Sequence, residues 1–230
     1  GHELMTELLP SKSYFHVLVL NATGRLPDDR LCKWLEAVCI TMSWPDPRIW
    51  CNTIGSLAGT NRASVMAATC AGLLASESKL YGPRTLIGGV QFIQKAKTLY
   101  DQGSSIDQII EQLATRSGGK IHIPGYVRPI ADGDIRVAAL HSHAEALDLQ
   151  QGAHLQLAWE IEARLKDINN QSMNLGGYIS AFLVDQGFSA VEVFNLFPMM
   201  VGSGVTACAV EESGNLEGGF LPLRCEDIEY

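Results

Sequence analysis

Charge is scarce in this chain. Asp, Glu, Lys and Arg make up 18% of its 230 residues, against about 25% in an average soluble domain. No run of like charges occurs, and the balance is acidic, 17 basic against 25 acidic side chains, a formal net charge of −8. This argues against a nucleic-acid partner, because phosphate neutralisation needs clustered Lys and Arg. A surface so short of charge predicts that part of it is covered in an oligomer. The six cysteines, Cys32, Cys39, Cys51, Cys70, Cys208 and Cys225, include no C-x-x-C pair, so neither a zinc ribbon nor a thioredoxin motif is present. They read as small buried hydrophobes of a reducing compartment, which points to the cytoplasm. No signal-peptide pattern is visible in a sequence that opens at Gly1. Residues 193–210 carry no charge, but Asn195, Pro198, Gly202, Ser203, Gly204 and Thr206 interrupt them. They predict a buried helix–break–helix rather than a membrane span.

The usual catalytic signatures are missing too. There is no G-x-G-x-x-G. Gly118-Gly119-Lys120 lacks the leading glycine of a phosphate loop, since Ala114 stands there, and Ile121 follows the lysine. Gly55-Ser56-Leu57-Ala58-Gly59 has its serine one place early for a nucleophile elbow. Ser117 and Lys120 fit S-x-x-K without any companion motif. His141 and His143 point about 200° apart on a helix and do not chelate together. The glycosylation patterns at Asn21 and Asn170 mean little in a reducing compartment.

What is present reads as helices. Hydrophobic residues reach 47%, which excludes disorder. A chain this long buries about 70% of its unfolded surface. Leu31, Trp34, Leu35, Val38, Cys39 and Met42 recur at helical spacing after Pro27, and the Ser43–Pro47 segment, with two prolines, ends that helix. Residues 62–76 read as a buried helix. Ile106, Ile109, Ile110 and Leu113 form a stripe with a capping box at Ser105 and Gln108 and a stop at Gly118-Gly119. Residues 134–149, 153–167, 178–184 and 190–197 complete the helical set. Lys120–Ile123 is the one fair strand candidate. The pattern predicts an all-α globule.

Ile123-Pro124-Gly125-Tyr126-Val127-Arg128-Pro129, followed by Asp132-Gly133-Asp134-Ile135-Arg136, resembles the P-G-[FY]-G-H-P and D-P-R segments of the citrate synthase superfamily. The chain is most similar to its short citryl-CoA-lyase-like branch. Further matches keep the family's order: Gly1-His2-Glu3-Leu4, Thr23-Gly24-Arg25-Leu26-Pro27, Gly82-Pro83 with Gly88-Gly89, Asn174-Leu175-Gly176, and Gly204–Cys208 with Glu211-Glu212. The resemblance implies a helical fold with large and small subdomains, the small one at roughly 84–185, and a homodimer. It also implies acyl-CoA as cofactor-like ligand, none of it held covalently, and no membrane partner.

In that family a His polarises the thioester carbonyl, an Asp removes the α-proton, a second His activates the keto-acid and arginines neutralise carboxylates. Here the first His falls on Ile87 (Thr85 without a gap), the second on Arg128 and the Asp on Gly176. The His of the later A-H pair is Cys208, and an expected arginine is Val201. Arg128, Arg136 and Asn174 remain as substrate-binding candidates, and Pro124, Gly125 and Tyr126 keep the loop that in the family lies against CoA. A guanidinium does not act as a base near neutral pH, so Arg128 does not inherit the His role. Arg136 is either a carboxylate clamp or a helix-start residue paired with a nearby Asp. Asn174 either contacts ligand or caps a helix, and Tyr126 either packs or binds. Glu211, Glu212 and His122 are candidate replacements for the lost groups. Two readings follow: a relative without the family's carbon–carbon chemistry that binds a CoA thioester or carboxylate or serves as a partner of a hetero-subunit; or an active acyl-CoA lyase or acyltransferase with altered catalytic residues.

Overall fold

The computed structural model describes residues 1–78, 81–118, 120–126 and 133–215. Arg128, Asp132, Gly119 and Cys225, among the residues considered above, lie outside the described residues. The chain starts with a π-turn at Leu4–Leu8 and a short α1 (Leu9–Ser11). There follow α2 (Tyr14–Thr23), α3 (Asp29–Met42), α4 (Trp50–Thr60), α5 (Val65–Ser76), α6 (Pro83–Asp101) and α7 (Ile106–Leu113). A hairpin of β1 (Thr115–Ser117) and β2 (Lys120–His122) comes next, then α8 (Ile135–Ala146), α9 (Ala153–Asn169), α10 (Leu175–Asp185) and α11 (Ala190–Ser213). The fold is all-α but for this antiparallel hairpin, in which Thr115 pairs with His122.

Two compact units result, Gly1–Val38 with Lys79–Phe197 and Cys39–Ser78 with Pro198–Tyr230, each taken over its described residues. Residues 84–185 fall wholly within the first. Its centre is α10, apolar all round, with Tyr178, Ile179, Ala181, Phe182 and Leu183 fully buried. An apolar helix of that kind needs partners on every side. It packs on α6 and on α9, whose Leu86, Val90, Ile93, Leu155, Leu157 and Ile161 are buried. Trp34 of α3 stacks on Phe182 with ring centroids 4.0 Å apart. Each such side chain contributes about 1.5–3 kcal/mol by leaving water.

Both ends of α10 are tied down by polar groups. At its C-terminal end Arg25 donates to the carbonyls of Gln186 (3.0 Å) and Gly187 (2.9 Å), and lies 4.1 Å from the centre of the Phe188 ring. A cation there answers the unpaired carbonyls of a helix end. The Thr23–Pro27 turn thus has a packing role: Gly24, with φ +72°, closes α2, and Arg25 grips α10.

In the second unit α4 and α5 pack with the Pro198–Ser213 part of α11 at backbone distance. A Cβ at Gly59 would stand 2.4 Å from the Ala209 carbonyl oxygen. The Thr69 and Thr206 hydroxyls are 3.0 Å apart. Asn52 donates to the carbonyls of Trp44 (2.8 Å) and Asp46 (3.0 Å), fixing the Ser43–Pro47 loop.

Several expectations are corrected. The helix read at 62–76 starts at Val65, because Ser64 caps it and Arg62 sits at φ +59°. It is not buried all round: Met66 and Leu74 are each 79% exposed. Residues 190–213 form one helix through Pro198 rather than two, although Pro198 has no N–H for the Phe194 carbonyl. A unit boundary falls at that proline. This helix is long and apolar enough to cross a membrane by length and composition, and half of its most apolar stretch is buried inside the chain. The capping box at Ser105 and Gln108 is present, but α7 ends at Leu113. Helix α10 begins at Leu175, three residues before the first one read. Helices α2, α4 and α6 are absent from the sequence expectation. Gly55, Gly59, Gly88 and Gly89 lower helix propensity, and close packing against neighbouring segments overrides it.

Candidate functional site

Within the first unit the Pro124–Tyr126 turn meets α6 at Gly88 and the start of α10 at Asn174 and Gly177, and Asp134 ties the start of α8 to that of α10. The Tyr126 amide closes that turn on the Ile123 carbonyl (3.0 Å). Gly125 has φ +95°, and a Cβ there would stand 2.7 Å from Gly177 Cα. Only glycine satisfies both conditions. The Asn174 amide then donates to the Gly125 carbonyl (2.8 Å). Gly88 of α6 abuts the same turn, with its hypothetical Cβ 3.3 Å from Pro124 Cβ. Ser180 of α10 donates to the Leu86 carbonyl (3.2 Å). Backbone approaches of this kind make the junction rigid and set it by glycines.

Asp134 holds the charge of the site. It caps α8 by accepting the Arg136 amide (3.2 Å), and it accepts the Leu175 amide at the start of α10 (3.2 Å). Arg136 adds a forked pair, Nε to Oδ1 at 2.8 Å and Nη2 to Oδ2 at 2.6 Å. The Asp134 side chain is 4% exposed and that of Arg136 27%. Burial pushes the Asp134 carboxyl up. The Arg136 hydrogen bond and charge, with the Arg136 and Leu175 amides, outweigh it and hold the carboxyl below its ordinary value. Two helix N-termini and a guanidinium thus converge on one carboxylate, a preformed anion site.

The other candidates are placed as follows. Arg136 is a helix-start residue engaged by a local carboxylate. Asn174 caps α10, its Oδ1 accepting the Gly177 amide (3.1 Å). Tyr126 is 2% exposed, donates to the Ala158 carbonyl (2.9 Å) and meets Phe92 edge-on. Burial, with the nearby Glu162 carboxylate, raises its phenol well above the ordinary value. A Cβ at Gly176 would press on Asn174 Oδ1 at 3.2 Å and touch Leu86 Cδ2 at 3.5 Å. Ile87 is half-buried on α6 beside Leu86, and Thr85 donates to the Gly82 carbonyl (2.6 Å). Arg136, Asn174, Gly176 and the Pro124–Tyr126 turn are therefore brought together.

Cys208, Val201, Glu211 and Glu212 lie in the second unit. Cys208 is buried there, and burial raises its thiol. His122 stands on β2. His141 packs edge-on against Trp159 (5.5 Å) and Tyr178 (6.0 Å), while His143 is exposed. One polar group that sequence reasoning missed is Glu162. It is buried and accepts the Met173 amide (3.0 Å) and Lys166 (3.2 Å), which fixes the approach to Asn174. Its single visible signal was Lys166 four residues on.

No family model matches the sequence, and no curated protein matches it. Solved structures do match. The chain is 23% identical to citryl-CoA lyase from Hydrogenobacter thermophilus, with a TM-score of 0.82, covering 100% of this chain and 88% of that one. It is 19% identical to ATP citrate lyase from Methanothrix soehngenii, solved with citrate and coenzyme A, at TM-score 0.76, covering 98% of this chain and 38% of that one. For citrate synthase from Thermoplasma acidophilum, solved with carboxymethyl coenzyme A and oxaloacetate, the identity is 17% and the TM-score 0.66, over 96% of this chain and 58% of that one. The chain has the helical citrate-synthase-like fold that these proteins share.

Proposed function

We propose that this chain is a citrate-synthase-like protein without the family's carbon–carbon condensation or cleavage, which binds a CoA thioester or a carboxylate. The observation that carries this reading is the state of the junction. The position matching the family's α-proton base is Gly176, which has no side chain, and the nearby carboxylate, Asp134, is committed to Arg136 and two helix ends. Removing a proton next to a thioester needs a base, and stabilising the enolate oxygen needs a second group. The Pro124–Tyr126 turn keeps its close approach to α6 and α10, which supports retained binding by that loop. Asn174 and Arg128 complete the proposed substrate side, with 84–185 as the small subdomain.

The reading includes a homodimer in the cytoplasm. Support for the dimer comes from α5, which has no charged residue and leaves Met66, Cys70 and Leu74 outward on one stripe. A different, catalytically complete subunit on that face is the variant in which this chain is a partner. The test is calorimetric titration of the full chain with CoA, acetyl-CoA, citrate and oxaloacetate. Saturable heat with CoA or acetyl-CoA is expected. No heat and no thermal shift with any of the four at millimolar levels would overturn the reading.

A further inference from the structure

A cluster at the start of α2 joins three side chains in series. Ser13 caps α2, and its Oγ lies 2.8 Å from Nδ1 of His16 in the first turn. The Ser13 amide also donates to Nδ1 (3.3 Å). A backbone N–H only donates, so Nδ1 is the acceptor of the ring and the proton sits on Nε2. That Nε2–H faces Asp29 Oδ1 of α3 at 3.1 Å. Hydroxyl, imidazole and carboxylate in this order are a serine nucleophile, its base and the group that orients the base. Lys12 lies 3.3 Å from the same Asp29 oxygen. Its hydrogen bond and charge, with those of His16, hold the Asp29 carboxyl below its ordinary value. His16 is buried, whereas Ser13 is exposed. The cap itself is loose, since the His16 amide reaches Ser13 Oγ at 3.5 Å and the Ser13 carbonyl at 3.1 Å. The Cys32 thiol also hydrogen-bonds Ser13, but burial pushes it up, so it stays protonated and is no rival nucleophile.

We propose that Ser13, His16 and Asp29 form a hydrolytic site that cleaves small aryl esters through an acyl-serine. Attack forms a bond from Ser13 Oγ to the ester carbonyl carbon, and the Oγ proton moves to His16 Nδ1. The carbonyl oxygen takes up the negative charge. A serine at a helix N-cap is followed by amides that have no acceptor inside the helix, here those of Tyr14 and Phe15, and these are the donors for that oxygen. Asp29 stabilises the imidazolium. Collapse breaks the bond to the phenolic oxygen, which leaves with the Nδ1 proton. Water then attacks the acyl-serine, its proton passes by way of Nδ1 to Oγ, and the carboxylic acid departs. Tyr14, exposed and next to Ser13 in the chain, offers its ring to an aromatic leaving group. The open position of Ser13 suits a small ester.

The experiment gives the full chain p-nitrophenyl acetate and, separately, diisopropyl fluorophosphate, with peptide mass spectrometry to locate the adduct. The variants are Ser13→Asn, which keeps a helix cap while removing the hydroxyl, His16→Gln and Asp29→Asn, each with a melting curve to show that it is folded. Hydrolysis above the buffer rate and a phosphoryl adduct on Ser13 are expected, and Ser13→Asn should abolish both. A general base supplies about 10²–10⁴-fold, so His16→Gln should slow hydrolysis at least about tenfold. Asp29→Asn should slow it less, because that carboxylate is exposed to water. Absence of an adduct on Ser13 of the unsubstituted chain, an adduct on Lys12 or Tyr14 in its place, or undiminished hydrolysis by folded Ser13→Asn overturns the proposal and leaves a capping box alone. Labelling needs no variant, so it decides even where a substitution prevents folding.

Discussion

Replacing Gly125 by alanine separates the two conditions that the structure imposes on the Pro124–Tyr126 turn. The first is the backbone: at φ +95° an L-residue loses about 1–2 kcal/mol. The second is space. The new Cβ would stand 2.7 Å from Gly177 Cα and 3.2 Å from its nitrogen, both backbone atoms of α10 that do not swing aside. Forcing a methyl group into a filled site costs about 1–3 kcal/mol. The combined loss is about 2–5 kcal/mol, a large share of a stability of about 5–15 kcal/mol. Gly103 supplies the control. It has nearly the same φ, +92°, with nothing within 4 Å of its Cβ, so Gly103→Ala should lose about 1–2 kcal/mol and no more. Urea unfolding followed by tryptophan fluorescence gives both values, with comparable slopes expected. Equal losses in the two variants would refute the close packing of the turn against α10, and with it the rigid junction.

Two other outcomes follow from named contacts. Light scattering at micromolar concentration should give twice the 25.0 kDa chain mass, falling to a single chain in Met66→Glu with Leu74→Glu; a monomer without substitution contradicts the covered α5 face. Because the Asp134 carboxyl is held below its ordinary value, it contributes stability fully above the unfolded value of about 3.9, and loses it as pH falls through the folded value. The acid limb of the stability curve should therefore be flatter in Asp134→Asn than in the unsubstituted chain, and superimposable limbs would contradict the Asp134–Arg136 pairing.

Periodicity made the amphipathic helices legible, because their apolar stripes face one way. Ile109 and Ile110 on α7 and Trp34 and Val38 on α3 are such stripes, and their residues are buried. It failed where helices touch through glycine. Gly59 and Gly72 look like breaks in a linear reading, yet each is small because another helix's backbone or Val205 lies against it. It also misjudged α5, whose apolar residues surround the helix while the described residues cover one side of it. At the site, the junction of Pro124–Tyr126, Asn174, Gly176 and Arg136 was legible through ordered motifs. The pairing of Arg136 was an open alternative that two residues of sequence separation could not decide. Distance decides it, since Asp134 reaches the fork at 2.6 and 2.8 Å while also capping α8. The role of Glu162 was invisible because its partner, the Met173 amide, is a backbone group eleven residues away.

Loss of the family's carbon–carbon chemistry is measured directly by free-thiol release. The full chain is supplied with acetyl-CoA and oxaloacetate, and separately with citryl-CoA. An ordinary enzyme turns over about 10 times per second. Base and electrostatic groups each supply about 10²–10⁴-fold, so their loss predicts less than about a thousandth of that rate. Turnover near about 10 per second with either substrate would contradict the account.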